Sequence, residues 1–122
     1  MPQQTSFLDE TVGNTRIEVL KSYDVAFARE AFDQMDENAL KFLASSLDLS
    51  NSEISVDLSP EDPDYADLIW GELNDGARED WDSFSYFIVE EESGGRTASL
   101  FVSADWPSAE AFARQRLASY AA

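Results

Sequence analysis

Residues 84–103 read FSYFIVEEESGGRTASLFVS, and this stretch predicts the fold more clearly than any other part of the chain. Apolar side chains recur at alternate positions in both halves, Phe84–Glu92 and Arg96–Ser103, which is typical of half-buried strands. Gly94-Gly95 at the centre suits a two-residue turn in which both residues take positive φ. The stretch therefore predicts a β-hairpin.

The segments on either side of this hairpin carry strand and helix patterns of their own. In chain order, we expect a strand at Arg16–Leu20, a helix from Val25 capped by Asp24, a second helix after Asn38, a strand at Glu53–Leu58, a helix from Pro63 to about Asn74, the hairpin, and a last helix from Asp105 or Ser108. The resulting order, β-α-α-β-α-β-β-α, predicts an α+β fold with an antiparallel-rich sheet and three to four helices.

The length of 122 residues favours a single small domain. Residues 1–15 show no strong periodicity, and Gly13-Asn14 is typical of a turn. We therefore expect residues 1–15 to form a flexible N-terminal arm and residues 16–122 to form one acidic α+β domain.

Composition excludes several kinds of chemistry. The chain has no cysteine and no histidine, so disulfides, thiolate metal sites and the usual neutral-pH general base are absent. No catalytic motif or phosphate-binding loop stands out, and we expect a protein that is not an enzyme and has no cofactor and no metal. The sequence also shows no secretory signal and no apolar run long enough for a membrane span, which predicts a cytoplasmic location.

The negative charge is concentrated in one part of the chain. Between Asp48 and Glu92 there are fifteen acidic residues and one basic residue, Arg78, whereas residues 93–122 hold two acids and three bases. The whole chain has a net charge of −17. Such a surface repels nucleic acids and anionic membranes, which bind clustered Lys and Arg, and it attracts cationic partners over a distance.

The helix expected after Pro63 separates acidic from apolar side chains. At 100° per residue, the apolar residues fall on one side and the carboxylates on the other. The apolar side comprises Ala66, Ile69, Trp70 and Leu73, and the acidic side comprises Asp64, Asp67, Glu72 and Asp75. A rise of about 1.5 Å per residue spaces these carboxylates by roughly 4.5 to 7.5 Å, on the same scale as the phosphates of one DNA strand.

These observations lead to a hypothesis of a small acidic binding protein. It would block a basic, nucleic-acid-binding surface on a partner protein such as a nuclease, in the manner of a DNA-mimic, anti-defence or immunity-type inhibitor. Trp81, which lies between two acids, would anchor the contact as an aromatic hot spot. The expected partner-binding residues are Glu53, Asp57, Glu61, Asp62, Asp64, Asp67, Glu72, Asp75, Glu79, Asp80, Trp81, Asp82, Glu90, Glu91 and Glu92.

Two alternative interpretations remain at this stage. The acidity could belong to a general cytoplasmic domain of a salt-adapted organism, although the slightly basic residues 93–122 favour one dedicated acidic surface. The chain could also be a divalent-cation-binding regulatory module, with carboxylates around Pro60 as ligands. In addition, Glu90–Glu92 at a strand end could simply keep a sheet edge from pairing with other chains.

Overall fold

The computed structural model describes residues 4–46, 63–78 and 84–121, which form one antiparallel sheet of four strands and four helices. The strand order is β1-β2-β3-β4, so sequence neighbours are also spatial neighbours. This arrangement confirms a single small α+β domain with an antiparallel sheet. The strands are β1 (Gln4–Val12), β2 (Thr15–Ser22), β3 (Tyr86–Ser93) and β4 (Arg96–Ser103), and the helices are α1 (Val25–Asp33), α2 (Glu37–Ser46), α3 (Pro63–Ala77) and α4 (Trp106–Ala121).

The predicted C-terminal hairpin is present as β3 and β4. Ser93 pairs with Arg96, which leaves Gly94 and Gly95 as the two loop residues. Their φ angles are 61° and 80°, a left-handed conformation that is costly for any residue with a Cβ atom. The glycines therefore allow the tight turn that brings the two strands into register.

The predicted flexible arm is wrong for residues 4–15. Residues 4–12 form strand β1, which pairs antiparallel with β2 across a turn at Gly13 and Asn14. The strand is held to the domain because Leu8 is buried in the core and the ring of Phe7 contacts other aromatic rings. Acidic and hydroxyl side chains interrupt the apolar alternation of β1, and this hides the strand in the sequence.

Helices cover both faces of the sheet. Helix α4 contacts all four strands on one face, and α2 packs beside it through Phe42, whose ring contacts Phe101 and Phe112. Helices α1 and α3 meet on the opposite face, where the ring of Phe32 lies 5.3 Å from that of Trp70. The sheet is thus the middle layer, and its buried apolar residues join the three layers into one core.

The helix boundaries follow capping rules that are visible in the sequence. The Asp24 side chain accepts hydrogen bonds from the backbone N–H groups of Ala26 and Phe27 at the start of α1, as predicted. Asp105 caps α4 in the same way by accepting from the N–H of Ser108 at 2.9 Å. These caps satisfy backbone donors that have no partner within the helix.

Helix α3 continues to Ala77, beyond the end expected near Asn74. Ala77 is buried, and its carbonyl accepts a hydrogen bond of 2.9 Å from the N–H of Ser85. Gly76 therefore lies within the last helical turn because tertiary contacts outweigh its low helix propensity. The strand predicted at Glu53–Leu58 lies outside the described residues. None of the helices in the described part of the chain is long and apolar enough to cross a membrane.

Candidate partner-binding surface

The orientation of α3 agrees with the predicted separation of apolar and acidic side chains. Ile69 and Leu73 are buried in the core, and Ala66 and Trp70 pack against it. The carboxylates lie on the outward side, where three of the four are exposed and Glu72 is half-buried. We call these four residues the α3 acidic face: Asp64, Asp67, Glu72 and Asp75.

Aromatic and polar contacts hold α3 against the sheet. The ring of Trp70 stacks on that of Tyr86 in β3, with centroids 5.9 Å apart and an interplanar angle of 8°. One turn further along the helix, the side-chain oxygen of Asn74 accepts a hydrogen bond from the Tyr86 hydroxyl. Both contacts lie on the side of α3 that faces the sheet. They fix the rotation of the helix and thereby direct its carboxylates outward.

Arg29 of α1 reaches across to the α3 acidic face. Its guanidinium lies 3.7 Å from the carboxylate of Asp67 and 3.1 Å from that of Asp33 on its own helix. The same guanidinium lies over the Trp70 ring, 5.3 Å from its centroid. Asp67 nevertheless keeps 71% of its side chain exposed. Arg29 thus links two acids of different helices without closing the surface.

Asp33 is therefore an acidic neighbour of this surface that sequence reasoning missed. The local signal was present, since Arg29 and Asp33 are four residues apart on a helix and such residues face each other. The position of α1 beside α3 could not be derived from that spacing. The part of the surface that the structure describes thus includes α1 as well as α3.

Two outward carboxylates of α3 have no basic partner among the described residues. Glu72 and Asp75 take part in none of the ion pairs between those residues. Several basic side chains are instead paired elsewhere, for example Lys41 with Glu37 and Arg114 with Glu10. The α3 acidic face therefore retains uncompensated negative charge.

The structure does not bring Glu90, Glu91 and Glu92 together on one surface. Successive side chains of a strand point to opposite faces of the sheet, and β3 follows this rule. Glu91 points to the α4 face, where it accepts hydrogen bonds from Arg116 and Tyr120. Its side chain is only 13% exposed. Tyr120, expected on the apolar face of α4, is instead exposed and donates its hydroxyl to this carboxylate.

Glu90 and Glu92 belong to a separate acidic group on the other face of the sheet. Glu90 lies opposite Glu18 of β2, and Glu18 in turn lies opposite Asp9 of β1. Neighbouring strands are about 4.8 Å apart, so three carboxylates form a row across three strands. Arg16 lies beside this row and opposite Glu92. We call this group the sheet carboxylate row: Asp9, Glu18 and Glu90.

Arg16 and burial affect the two ends of this row differently. The Arg16 guanidinium donates two hydrogen bonds to the Asp9 carboxylate, at 2.8 and 2.6 Å, and these bonds lower the pKa of Asp9. Burial raises the pKa of Glu90, and the charge of Glu18 raises it further, although a hydrogen bond from Ser99 opposes the rise. Protons therefore bind more readily at Glu90 than at Asp9.

The remaining predicted partner-binding residues lie outside the described ranges. They are Glu53, Asp57, Glu61, Asp62, Glu79, Asp80, Trp81 and Asp82.

Other kinds of site were sought on the described residues. Within residues 4–46, 63–78 and 84–121, no three acidic side chains are placed to hold a metal ion. The loop around Pro60, considered for a divalent cation, falls outside these ranges. A cavity of about 220 Å³ lies between α2 and α4 and is lined partly by Asp36, Phe112 and Arg116. It contains none of the predicted partner-binding residues.

No protein-family model, no curated protein and no solved structure matches the chain.

Proposed function

We propose that this chain is a non-enzymatic binding protein that blocks a basic surface of a partner protein. The partner's basic surface would ordinarily bind nucleic acid, as in a nuclease. The α3 acidic face carries this proposal, because its carboxylates are directed outward by a helix whose other side is packed in the core. A rigid helix holds these charges in a fixed spacing before the partner arrives, which lowers the cost of ordering them.

The mechanism is occlusion by charge. Carboxylates on α3 occupy positions that phosphates would take on the partner, and Arg or Lys side chains of the partner bind to them through charge-assisted hydrogen bonds. The net charge of −17 adds a long-range attraction that accelerates encounter with a basic surface. Glu72 and Asp75 are suited to this role because no described basic residue neutralises them.

The test is affinity capture from lysate of the organism that supplies the gene, with elution by a salt gradient and identification by mass spectrometry. The expected result is one basic, nucleic-acid-binding protein that stays bound at physiological salt. A second assay would then measure whether the chain inhibits nucleic-acid binding by that protein. Retention of many basic proteins that all elute at low salt contradicts the proposal and favours the interpretation of general acidity for solubility.

A matched pair of variants separates the α3 acidic face from general charge. Asp64→Lys with Asp75→Lys changes the α3 acidic face, and Glu37→Lys with Glu110→Lys changes α2 and α4 instead. Each double variant raises the net charge by 4, from −17 to −13. Asp64 and Glu37 both lie in the first turn of a helix, so the effect on the helix dipole is similar. Only the α3 variant should lose the captured partner, and equal losses would contradict the proposed surface.

A further inference from the structure

The two edges of the sheet differ in how the molecule covers them. At the β4 edge, the backbone N–H of Ser99 donates a hydrogen bond to the Gln34 side chain, and α1 and α2 both pack against the strand. Among the described residues, β1 contacts β2 and α4. Its pairing with β2 is regular from Leu8 to Val12, after a bulge at Phe7. Unpaired backbone groups on such an edge are a template for another strand.

Both carboxylates of β1 are neutralised by arginines of neighbouring elements. Asp9 receives Arg16 of β2 at 2.6 Å, and Glu10 receives Arg114 of α4 at 2.8 Å. Charged side chains normally protect an edge strand from pairing, but here each negative charge is compensated locally. The β1 edge is therefore close to neutral in a chain whose net charge is −17.

An exposed aromatic patch continues from this edge. Phe7 remains 46% exposed, although its ring lies 5.2 Å from that of Phe87 in an edge-to-face contact. The Nζ of Lys21 lies 5.8 Å from the centroid of the Phe87 ring and 5.4 Å from that of Tyr23, which is also exposed. Apolar surface and low charge thus occur together at the β1 edge.

We propose that two copies of this chain associate through β1. The two β1 strands pair antiparallel about a two-fold axis, so that two four-stranded sheets become one continuous sheet. A second copy fits this edge better than a basic strand would, because Arg16 and Arg114 already neutralise Asp9 and Glu10 and leave little charge to attract a cation. Two-fold pairing is the commonest symmetry of soluble oligomers. This inference concerns a surface other than the α3 acidic face and does not depend on the proposed function.

The test uses the full chain in sedimentation velocity over a dilution series, with Arg114→Glu as the test variant and Lys41→Glu as its control. Both substitutions reverse one charge in an i,i+4 ion pair on a helix, and the two side chains have similar exposures of 56% and 55%. Lys41 lies on α2, away from β1. The wild type and Lys41→Glu should reach twice the 13.6 kDa monomer mass. Arg114→Glu leaves Glu10 uncompensated and should weaken the dimer about tenfold or more.

Amide hydrogen exchange locates the interface. The β1 amides that do not bond to β2 should exchange more slowly as the protein concentration rises, whereas the β4 amides should be unaffected. A wild-type chain that remains a monomer at all concentrations overturns the proposal, and so does equal dissociation of the two variants. Protection of the β1 edge amides that is the same at high dilution also overturns it, because the edge would then be covered within a single chain. Capture of a partner by the α3 acidic face is measured separately and is unaffected by any of these outcomes.

Discussion

Glu18 of β2 lies directly opposite Glu90 of β3, so two carboxylates face each other on adjacent strands. Like charges in this relationship destabilise a sheet. The pair is held in place because both strands are fixed by their neighbours, Val19 opposite Val89 and Leu20 opposite Ile88, which are buried.

The first prediction concerns this pair. Glu90→Gln should stabilise the protein at neutral pH by about 0.2–1 kcal/mol, because it removes the like-charge contact and keeps the side-chain shape. Urea unfolding measures the free energy of unfolding, with the slope m expected to stay constant. Glu92→Gln is the control, since Glu92 lies on the same strand but opposite Arg16. It should leave stability unchanged or lower it, and a less stable Glu90→Gln protein would contradict the assignment.

The same pair predicts a pH dependence of defined sign. The folded-state pKa of Glu90 is raised from its ordinary value of 4.5, so the proton stabilises the folded state. Its contribution is fully present below 4.5 and is lost as the pH rises through the raised folded-state pKa. The stability advantage of Glu90→Gln over the wild type should therefore shrink as the solution is acidified. An advantage that is constant from neutral pH to below 4.5 would argue against this explanation.

The second prediction concerns Asp9 and Arg16. The hydrogen bonds from Arg16 hold the pKa of Asp9 below its ordinary value of 3.8, so this carboxylate contributes stability above 3.8 that is lost as the pH falls through the lowered value. NMR titration of the Asp9 carboxyl carbon should show a low pKa in the wild type and a return toward 3.8 in Arg16→Gln. Arg114→Gln, which removes the partner of Glu10 instead, should leave the Asp9 titration unchanged.

The third prediction concerns salt. A surface with a large excess of one charge repels itself, and mobile ions screen that repulsion. The melting temperature should therefore rise from low to molar NaCl. The variant Asp64→Lys with Asp75→Lys should show a smaller rise, because it removes part of the repulsion from α3. A melting temperature that does not depend on salt would contradict a clustered acidic surface.

The fourth prediction concerns the hydrogen bond between the Tyr86 hydroxyl and Asn74. Asn74→Ala leaves this hydroxyl, on a buried residue, without its partner and should lower the free energy of unfolding by about 1–3 kcal/mol. Adding Tyr86→Phe to that variant removes the unpaired group and should recover part of the loss. A double-mutant cycle by urea unfolding measures the coupling. Additive losses would mean that α3 is not docked through this contact.

The fifth prediction contrasts two glycines. Gly95 has φ +80°, so Gly95→Ala should destabilise the hairpin by about 1–2 kcal/mol. Gly71 lies within α3, and a Cβ atom added there meets no atom within 4 Å. Gly71→Ala should therefore stabilise the protein by about 0.5–1 kcal/mol. Thermal unfolding of the two variants checks the opposite signs, and the same sign in both would contradict the backbone assignments.

Several features could be predicted from the sequence because each depends on neighbours along the chain. The hairpin follows from alternating apolar residues around Gly94-Gly95, and the starts of α1 and α4 follow from the capping side chains of Asp24 and Asp105. The outward direction of the α3 acidic face follows from helical periodicity alone. These patterns repeat within one or two turns of helix or a few residues of strand, so they can be recognised without knowing the fold.

Other features could not be predicted because they join residues that are distant in sequence. Strand β1 belongs to the sheet because Leu8 and Phe7 pack in the assembled domain, while its polar residues obscure the alternation. The α3 acidic face gains Asp33 as a neighbour because Arg29 bridges α1 and α3. The order of acids along a chain does not reveal which of them share a surface.

The sequence by itself determined that the chain is strongly acidic, that it forms a small α+β domain, and that the carboxylates of α3 lie opposite its apolar residues. The tertiary structure decided that Glu91 bonds to α4 while Glu90 faces Glu18, and that Arg114 neutralises Glu10 at the sheet edge. The physical reason is the range of the interactions. Backbone periodicity sets the direction of each side chain locally, whereas ion pairing and burial depend on strand register and helix packing, which arise only when the whole core assembles.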